Sequence, residues 1–551
     1  MSSIRWPVDP FLVSVRPTRL IGTELARQKA LEVERQGRTD LGVLARGTLL
    51  GLVAGVGSSV FGFVLVVVIS RGLHPVRRAG VLFEAMALFL ILSNTAELGA
   101  DTGLVRMLAR YRALGRTEDL RRSIGLALWP VMVIGALIGS VVFGFAPQLA
   151  RLTIRAGSRS DGVVYIRLFA LAVPLATSTI VALSGSRAFG TMLPYTSIQG
   201  LGIPALRPVA LLAVIAGGLG TLWIGLAYVL PLAIGFVAAL VYLFILLARE
   251  ERRTEARSRP PRAWGDLAKE FWLFSSARGL AVVFQVAVFQ LDILLVGGLR
   301  SAREAGIYAA VSRYVGVGTV ALQGLALAIA PQISAFLARK MADRARRIFQ
   351  AGTTWLVLAS WPLYMAMIIF APLLMRVFGH GFVPGAEALA ILAAAGLVLV
   401  GTGNNKVVLL MGGGSAWNLM VTSSSLIINV GLNLVLIPRF GMNGAALAYA
   451  ASILYDNSLT AVLVWRLFRL HPFARGYWVA IAGATLCYGL VGLIVRQSLG
   501  MTVPDFLLFG VVATALYGAF LWLARQPLHL SVIRDVFGRD GVAAAPAIDA
   551  S

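Results

Sequence analysis

The sequence predicts an all-α polytopic membrane protein of about fourteen transmembrane helices: two parallel six-helix lobes and a C-terminal helix pair. Three observations predict it. Charged residues are scarce, at 13% of 551, about half the share in an ordinary soluble domain. Stretches 48–70, 221–248, 351–375, 415–438 and 476–495 hold no Asp, Glu, Lys or Arg, and each can cross a hydrocarbon core of roughly 30 Å at about 1.5 Å per residue. An internal repeat relates the two halves of the chain.

In order, the expected spans are 48–70, 79–100, 124–146, 163–186, 192–216, 221–248, 271–299, 305–338, 351–375, 386–408, 415–438, 442–465, 476–495 and 506–524. The second carries Glu84 and Glu97, the fourth Arg167, and the fifth Arg207 between Pro204 and Pro208. The prolines predict a broken helix there, tolerated where backbone packs on protein or lines a cavity. The seventh carries Arg278 and Asp292, the eighth Arg313, the tenth Asn404, Asn405 and Lys406 at its end, and the twelfth Asp456. Asn429 and Asn433 share a face of the eleventh and suit hydrogen bonding between helices. Cys487, the single cysteine, falls in an apolar run and reads as a small buried hydrophobe.

The net charge of +24 is a topology signal rather than a nucleic-acid footprint, because the arginines punctuate apolar runs instead of forming a stripe. Of 49 Lys and Arg, 34 fall on the side of the termini, 11 on the opposite side and four inside spans. This bias puts both termini in the cytoplasm, with the chain in the cytoplasmic (inner) membrane. No cleavable signal peptide is evident; residues 24–38 read as a short solvated helix.

The repeat is carried by two collinear matches. Gly72-Leu-His-Pro-Val-Arg-Arg-Ala-Gly80 corresponds to Gly298-Leu-Arg-Ser-Ala-Arg-Glu-Ala-Gly306, 226 residues later, and Gly220-TLWIG-Leu-Ala-Tyr228 to Gly441-MNGAA-Leu-Ala-Tyr449, 221 later. A six-helix unit is even, so its copies are parallel, and parallel six-helix halves are a transporter architecture with substrate held between them. The expected organisation is a cytoplasmic segment (1–45), an N-lobe (46–248), a cytoplasmic linker (249–270), a C-lobe (271–468), spans 13 and 14 (469–525) and a cytoplasmic tail (526–551).

Several short motifs occur in a telling order. Arg46-Gly47-Thr48-Leu49-Leu50-Gly51 opens the first span; Glu97-Leu98-Gly99 and Gly103-Leu104-Val105-Arg106-Met107-Leu108-Ala109 close the second. Asp292-Ile-Leu-Leu-Val-Gly-Gly-Leu and Ala305-Gly306-Ile307-Tyr308 join spans seven and eight, and Pro331-Gln332-Ile333-Ser334 ends span eight. Over roughly residues 40–470 these resemble the lipid-linked oligosaccharide flippases and polysaccharide exporters of the multidrug/oligosaccharidyl-lipid/polysaccharide exporter superfamily. The resemblance implies two lobes that open alternately to each face, and a glycan on undecaprenyl diphosphate as cargo. Glycan-assembly machinery and the lipid bilayer are the implied partners. The extra pair of spans resembles the flippase branches; in peptidoglycan-precursor flippases that pair shapes a groove for the lipid tail.

A charge inside a span is a functional candidate by default. Guanidinium groups suit a diphosphate because they offer paired donors and stay charged, so Arg278, Arg313 and Arg207 are the expected substrate-binding residues, with Asn404, Asn405 and Lys406 as further ones. Snorkelling to a headgroup is the alternative for Arg278 and Arg313, and a structural role is the alternative for Arg207. Arg167 reads as an interface anchor. Asp292 is expected to be a counter-ion to one of these arginines, with ion coupling as the alternative; Glu84, Glu97 and Asp456 follow as weaker coupling or counter-ion candidates. A cation-coupled multidrug exporter is the runner-up, disfavoured by the surplus of intramembrane Arg over acid. A membrane glycan polymerase or ligase would need a large outer loop, and the longest here is 151–162; a non-transporting scaffold is the remaining class. The four histidines are scattered and no catalytic, metal or cofactor motif is present in the sequence.

Overall fold

The structure is a computed structural model that describes residues 50–114, 116–154, 159–254 and 263–524. The expected helix at 24–38, the start of the 46–51 motif, the middle of the linker and the tail lie outside the described residues. Helices run α1 (Leu50–Gly72), α2 (Val76–Glu97), α3 (Ala100–Ala113), α4 (Thr117–Gly144), α5 (Ala146–Thr153), α6 (Arg159–Ala188), α7 (Ile203–Ala216), α8 (Thr221–Thr254), α9 (Trp264–Leu299) and α10 (Ala302–Gly318). They continue as α11 (Val320–Ala338), α12 (Ala342–Ile369), α13 (Ala371–Arg376), α14 (Ala386–Gly401), α15 (Asn405–Met411), α16 (Ser415–Phe440), α17 (Met442–Phe468), α18 (Arg475–Ala484), α19 (Val491–Ser498) and α20 (Val503–Leu523). Among the described residues, 13 helices are long and apolar enough to cross a membrane, and α10 with the start of α11, bent by 42°, makes a fourteenth span.

The expected spans are therefore present, with local differences. The α8 and α9 helices extend beyond the apolar runs to Thr254 and Trp264, because a helix need not end where its hydrophobic stretch does. Span eight bends at Thr319, after Gly316 and Gly318, where small residues weaken the helix. In span five the break at the prolines is a change of winding. A π-helix over Tyr195–Gly202 passes into α7, with Pro204 in its first turn and Pro208 inside it. Span two kinks at Leu98 and Gly99, both left-handed at φ 50° and 71°.

The repeat reappears as packing. The α2 and α10 helices begin 226 residues apart, and α8 and α17 begin 221 apart, the same offsets as the sequence matches. In the first lobe α6 packs on α2, α4 and α8; in the second α14 packs on α10, α12 and α17. The copies are thus parallel six-helix bundles with equivalent central helices. The terminal pair, α18–α20 with an intervening π-helix at Thr485–Leu490, packs on α12 through Tyr477, Tyr517 and Phe509. Cys487 is buried in this cluster, as expected.

The lobes meet along α2. At the face carrying the α1–α2 turn (the turn face), α2 crosses α10 so closely that a side chain at Gly80 would overlap the carbonyl of Ala302. At the opposite face (the linker face), Gly99 has no room for a side chain against Ser275 and Gly279 of α9. Small residues let helix backbones approach where lipid supplies no hydrophobic drive between helices. Arg110–Glu270, at 2.5 Å, ties α3 to α9 beside that contact.

Candidate functional site between and within the lobes

The intramembrane charges gather in separate places. The most enclosed surrounds Asp292 of α9, which is 1% exposed. Tyr308 Oη of α10 donates to its Oδ2 at 2.9 Å, and Asn433 Nδ2 of α16 donates to its Oδ1 at 2.7 Å. Asn433 Nδ2 also lies 3.1 Å from Asn429 Oδ1. The interhelical hydrogen bonding expected of the asparagine pair is therefore made, and its target is Asp292. Asp292, expected as a counter-ion to an arginine or as an ion-coupling site, has a phenol and an amide as its hydrogen-bond partners among the described side chains. Neutral donors can hold a buried carboxylate because each satisfies a lone pair without adding a second desolvated charge.

Beside Asp292 is a cavity of about 20 Å³ that Ser312 and Tyr449 help to line, enough for one water or a bare cation. At about 1.5 Å per residue, Asp292, Tyr308 and Asn433 each lie roughly 10 Å from the turn-face end of their helix. They therefore share one level. The equivalent position in the other lobe, 226 residues before Asp292, is Val66, fully buried.

A second group holds the intramembrane arginines. Arg207 of α7 lies over the Tyr228 ring of α8, 3.9 Å from its centroid, and its Nε donates to the Tyr228 carbonyl at 3.2 Å. Phe169 and Phe89 flank Tyr228, with centroids 5.0 and 6.2 Å away. Arg313 of α10 has its Nε buried without a hydrogen-bond partner. It stands about 16 Å along its helix, near mid-membrane. Arg207 thus belongs to the first lobe and Arg313 to the second.

Elsewhere, Lys406 Nζ pairs with Asp456 Oδ2 at 2.9 Å, linking α15 to α17. Asn404 Nδ2 donates to the Leu322 carbonyl at 3.3 Å, while the amide of Asn405 is buried without a partner. Of the expected cluster of Asn404, Asn405 and Lys406, the lysine is thus paired with Asp456. Glu84 of α2 has both carboxyl oxygens buried without partners, against Gly297 of α9. Arg167 is exposed, 5.2 Å from the centroid of the Phe143 ring, as suits an interface anchor. Arg278 belongs to α9, one residue before the Gly279 contact with the span-two kink; its side chain lies outside the described residues.

The model of the family described as "Polysaccharide biosynthesis protein" matches residues 44–337, more than half of the chain. The chain belongs to that family. The MatE family model matches residues 279–438, which include the Asp292 site. No curated protein matches the sequence. Among solved structures, the lipid II flippase MurJ in an inward closed conformation aligns with a TM-score of 0.65 and 11% identity, over 88% of this chain and 100% of that one. An inward-facing multidrug resistance MATE family transporter of the same superfamily gives 0.59 and 16% identity, over 75% and 94%. The Vibrio cholerae MATE transporter VcmN gives 0.55 and 16%, over 80% and 100%. The chain thus belongs to the polysaccharide biosynthesis family and shares the fold of these transporters and of the flippase. The site residues that sequence reasoning passed over are Tyr228, Tyr308 and Tyr449. Tyr228 and Tyr449 close the two copies of the second repeat motif, and that equivalence was the available signal.

Proposed function

We propose that this member of the family is a flippase that moves an oligosaccharide linked to undecaprenyl diphosphate across the cytoplasmic membrane by alternating access. Both termini are cytoplasmic in this reading, so the turn face is the outer face. The observation that carries it is that each lobe holds an arginine inside its spans, Arg207 against the Tyr228 ring and Arg313 near mid-membrane with its Nε buried and unpartnered. Two guanidinium groups near mid-membrane suit a diphosphate, and the aromatic faces of Tyr228 and Phe169 suit sugar rings. Arg278, at the linker-face end of the seam, is the proposed entry contact. Asp292, with Tyr308, Asn429 and Asn433, is the proposed coupling site for a proton or sodium ion, and Glu84 a second one on the seam. Asn404 and Asn405 are proposed to meet the glycan on its way in.

Translocation of a fluorescent lipid-linked oligosaccharide in proteoliposomes tests this reading. Arg207→Ala and Arg313→Ala are each expected to lower the rate about tenfold or more, the scale of a lost charge-assisted contact. Undiminished translocation in both overturns the diphosphate role. The MatE match over the Asp292 site supports one second reading, a cation-coupled drug exporter. Uptake of a cationic dye, abolished by Asp292→Asn while Arg207→Ala is silent, would favour it.

A further inference from the structure

A second basic feature lies at the turn face, outside the transport site. A cavity of about 360 Å³ opens there between the α1–α2 turn, the start of α10 and the turn after α13, room for roughly a dozen waters at about 30 Å³ each. His74 and Arg77 line it from one lobe, Arg303 and His380 from the other, and Phe378 and Phe382 form an apolar wall. The histidines and arginines are exposed, Ser70 also lines the cavity but is buried, and no carboxylate is among the lining residues. Among the described residues neither Arg77 nor Arg303 has an ion-pair partner. Glu304, the acid next in sequence to Arg303, is engaged elsewhere: Arg300 lies 3.5 Å from one oxygen, and the Met442 amide donates to the other at 3.1 Å.

Such convergence is unfavourable unless something answers it. Two guanidinium groups share one concave space, so each raises the potential felt by the other, and the low-dielectric wall focuses it. The start of α2 at Val76, which has no side-chain cap, adds the positive end of a helix dipole of the same sign. An anion is the group that relieves all of these at once. Helix ends set the cavity at headgroup depth, within reach of lipid phosphate groups. Arginine favours phosphate over a halide because its planar donors match paired oxygens.

We propose that this cavity is a binding site for a phosphoryl group, carried by an anionic phospholipid headgroup or by a soluble diphosphate. It is built from both lobes at the Gly80–Ala302 crossing, so a bound phosphate links Arg77 to Arg303 and stabilises the state in which the turn face is closed. The proposal stands whether or not the cargo is a lipid-linked glycan.

The test uses the full chain in two arms. Inorganic diphosphate is titrated calorimetrically into protein in a phosphate-free neutral detergent. Phosphatidylglycerol and phosphatidylcholine are compared for retention in native mass spectra from mixed nanodiscs. The Arg77→Ala/Arg303→Ala variant is expected to lose about tenfold in affinity in at least one arm, while Arg439→Ala, exposed on the same face, changes it by about twofold or less. Loss in the first arm identifies a soluble diphosphate as the source; loss of phosphatidylglycerol retention identifies the headgroup. Should the double alanine variant not fold, Arg77→Lys/Arg303→Lys decides, with weakened but measurable binding expected because charge remains and the paired geometry is gone. Binding of neither probe by the wild type, or equal binding by wild type and the folded variants, overturns the proposal.

Discussion

Asp292 keeps a carboxylate inside a lobe because Tyr308 and Asn433 give it two hydrogen bonds from neighbouring helices. Asn433→Ala removes one donor and leaves a buried oxygen unsatisfied, a cost of about 1–3 kcal/mol. A lowered melting midpoint in detergent is the expected outcome, read by intrinsic fluorescence. If Asp292 couples an ion, the same variant loses the dependence of transport on the ion gradient before it loses transport. The sequence showed which side chains were costly, since an Asp, a Glu or an Arg in a span is visible without a structure. It did not show their neighbours. Asn433 is 141 residues from Asp292, and Lys406 is 50 from Asp456, so no local spacing could announce either pair. Arg207 was legible as an oddity between two prolines; that it lies over Tyr228 depends on how α7 packs against α8.

Among the elements, α2 does most to set how the lobes meet. It crosses α10 at Gly80 and continues through the Leu98–Gly99 kink onto α9. Gly80→Val would force the α2–α10 contact apart, since the obstruction is the Ala302 backbone rather than a movable side chain. The expected result is faster thiol labelling of a cysteine placed at Ala302, buried at the crossing, in a background with Cys487 replaced by Ala; an unchanged rate would show that the crossing does not close the turn face. Gly99 is doubly constrained, by φ 71° and by the Ser275 backbone, so Gly99→Ala is expected to destabilise by about 1–3 kcal/mol. Spans and repeat were readable in the sequence because long apolar runs have few other uses and because both offsets, 226 and 221, separate helix starts. The bend at Thr319 and the π-turns of spans five and thirteen were not readable, since winding responds to packing more than to composition.

For the whole molecule, two parallel lobes with unequal interiors have a functional consequence. The N-lobe position equivalent to Asp292 is Val66, so the Asp292 site has no symmetric counterpart, and the carboxylate proposed for coupling in the first lobe, Glu84, stands instead on the seam against α9. The arginine pair, by contrast, draws one member from each lobe, so a ligand held by both would sense their separation. The topology makes its own prediction. Reporter fusions after residue 250 and after residue 340 are expected to be active on the cytoplasmic side, and fusions after residue 300 on the other. The central claim, that Arg207 and Arg313 bind a diphosphate carried between the lobes, is tested most directly by translocation of a lipid-linked oligosaccharide in proteoliposomes with both arginines changed together. Arg207→Ala/Arg313→Ala is predicted to abolish translocation, with partial recovery in Arg207→Lys/Arg313→Lys. Translocation by the double alanine variant at the wild-type rate would contradict it.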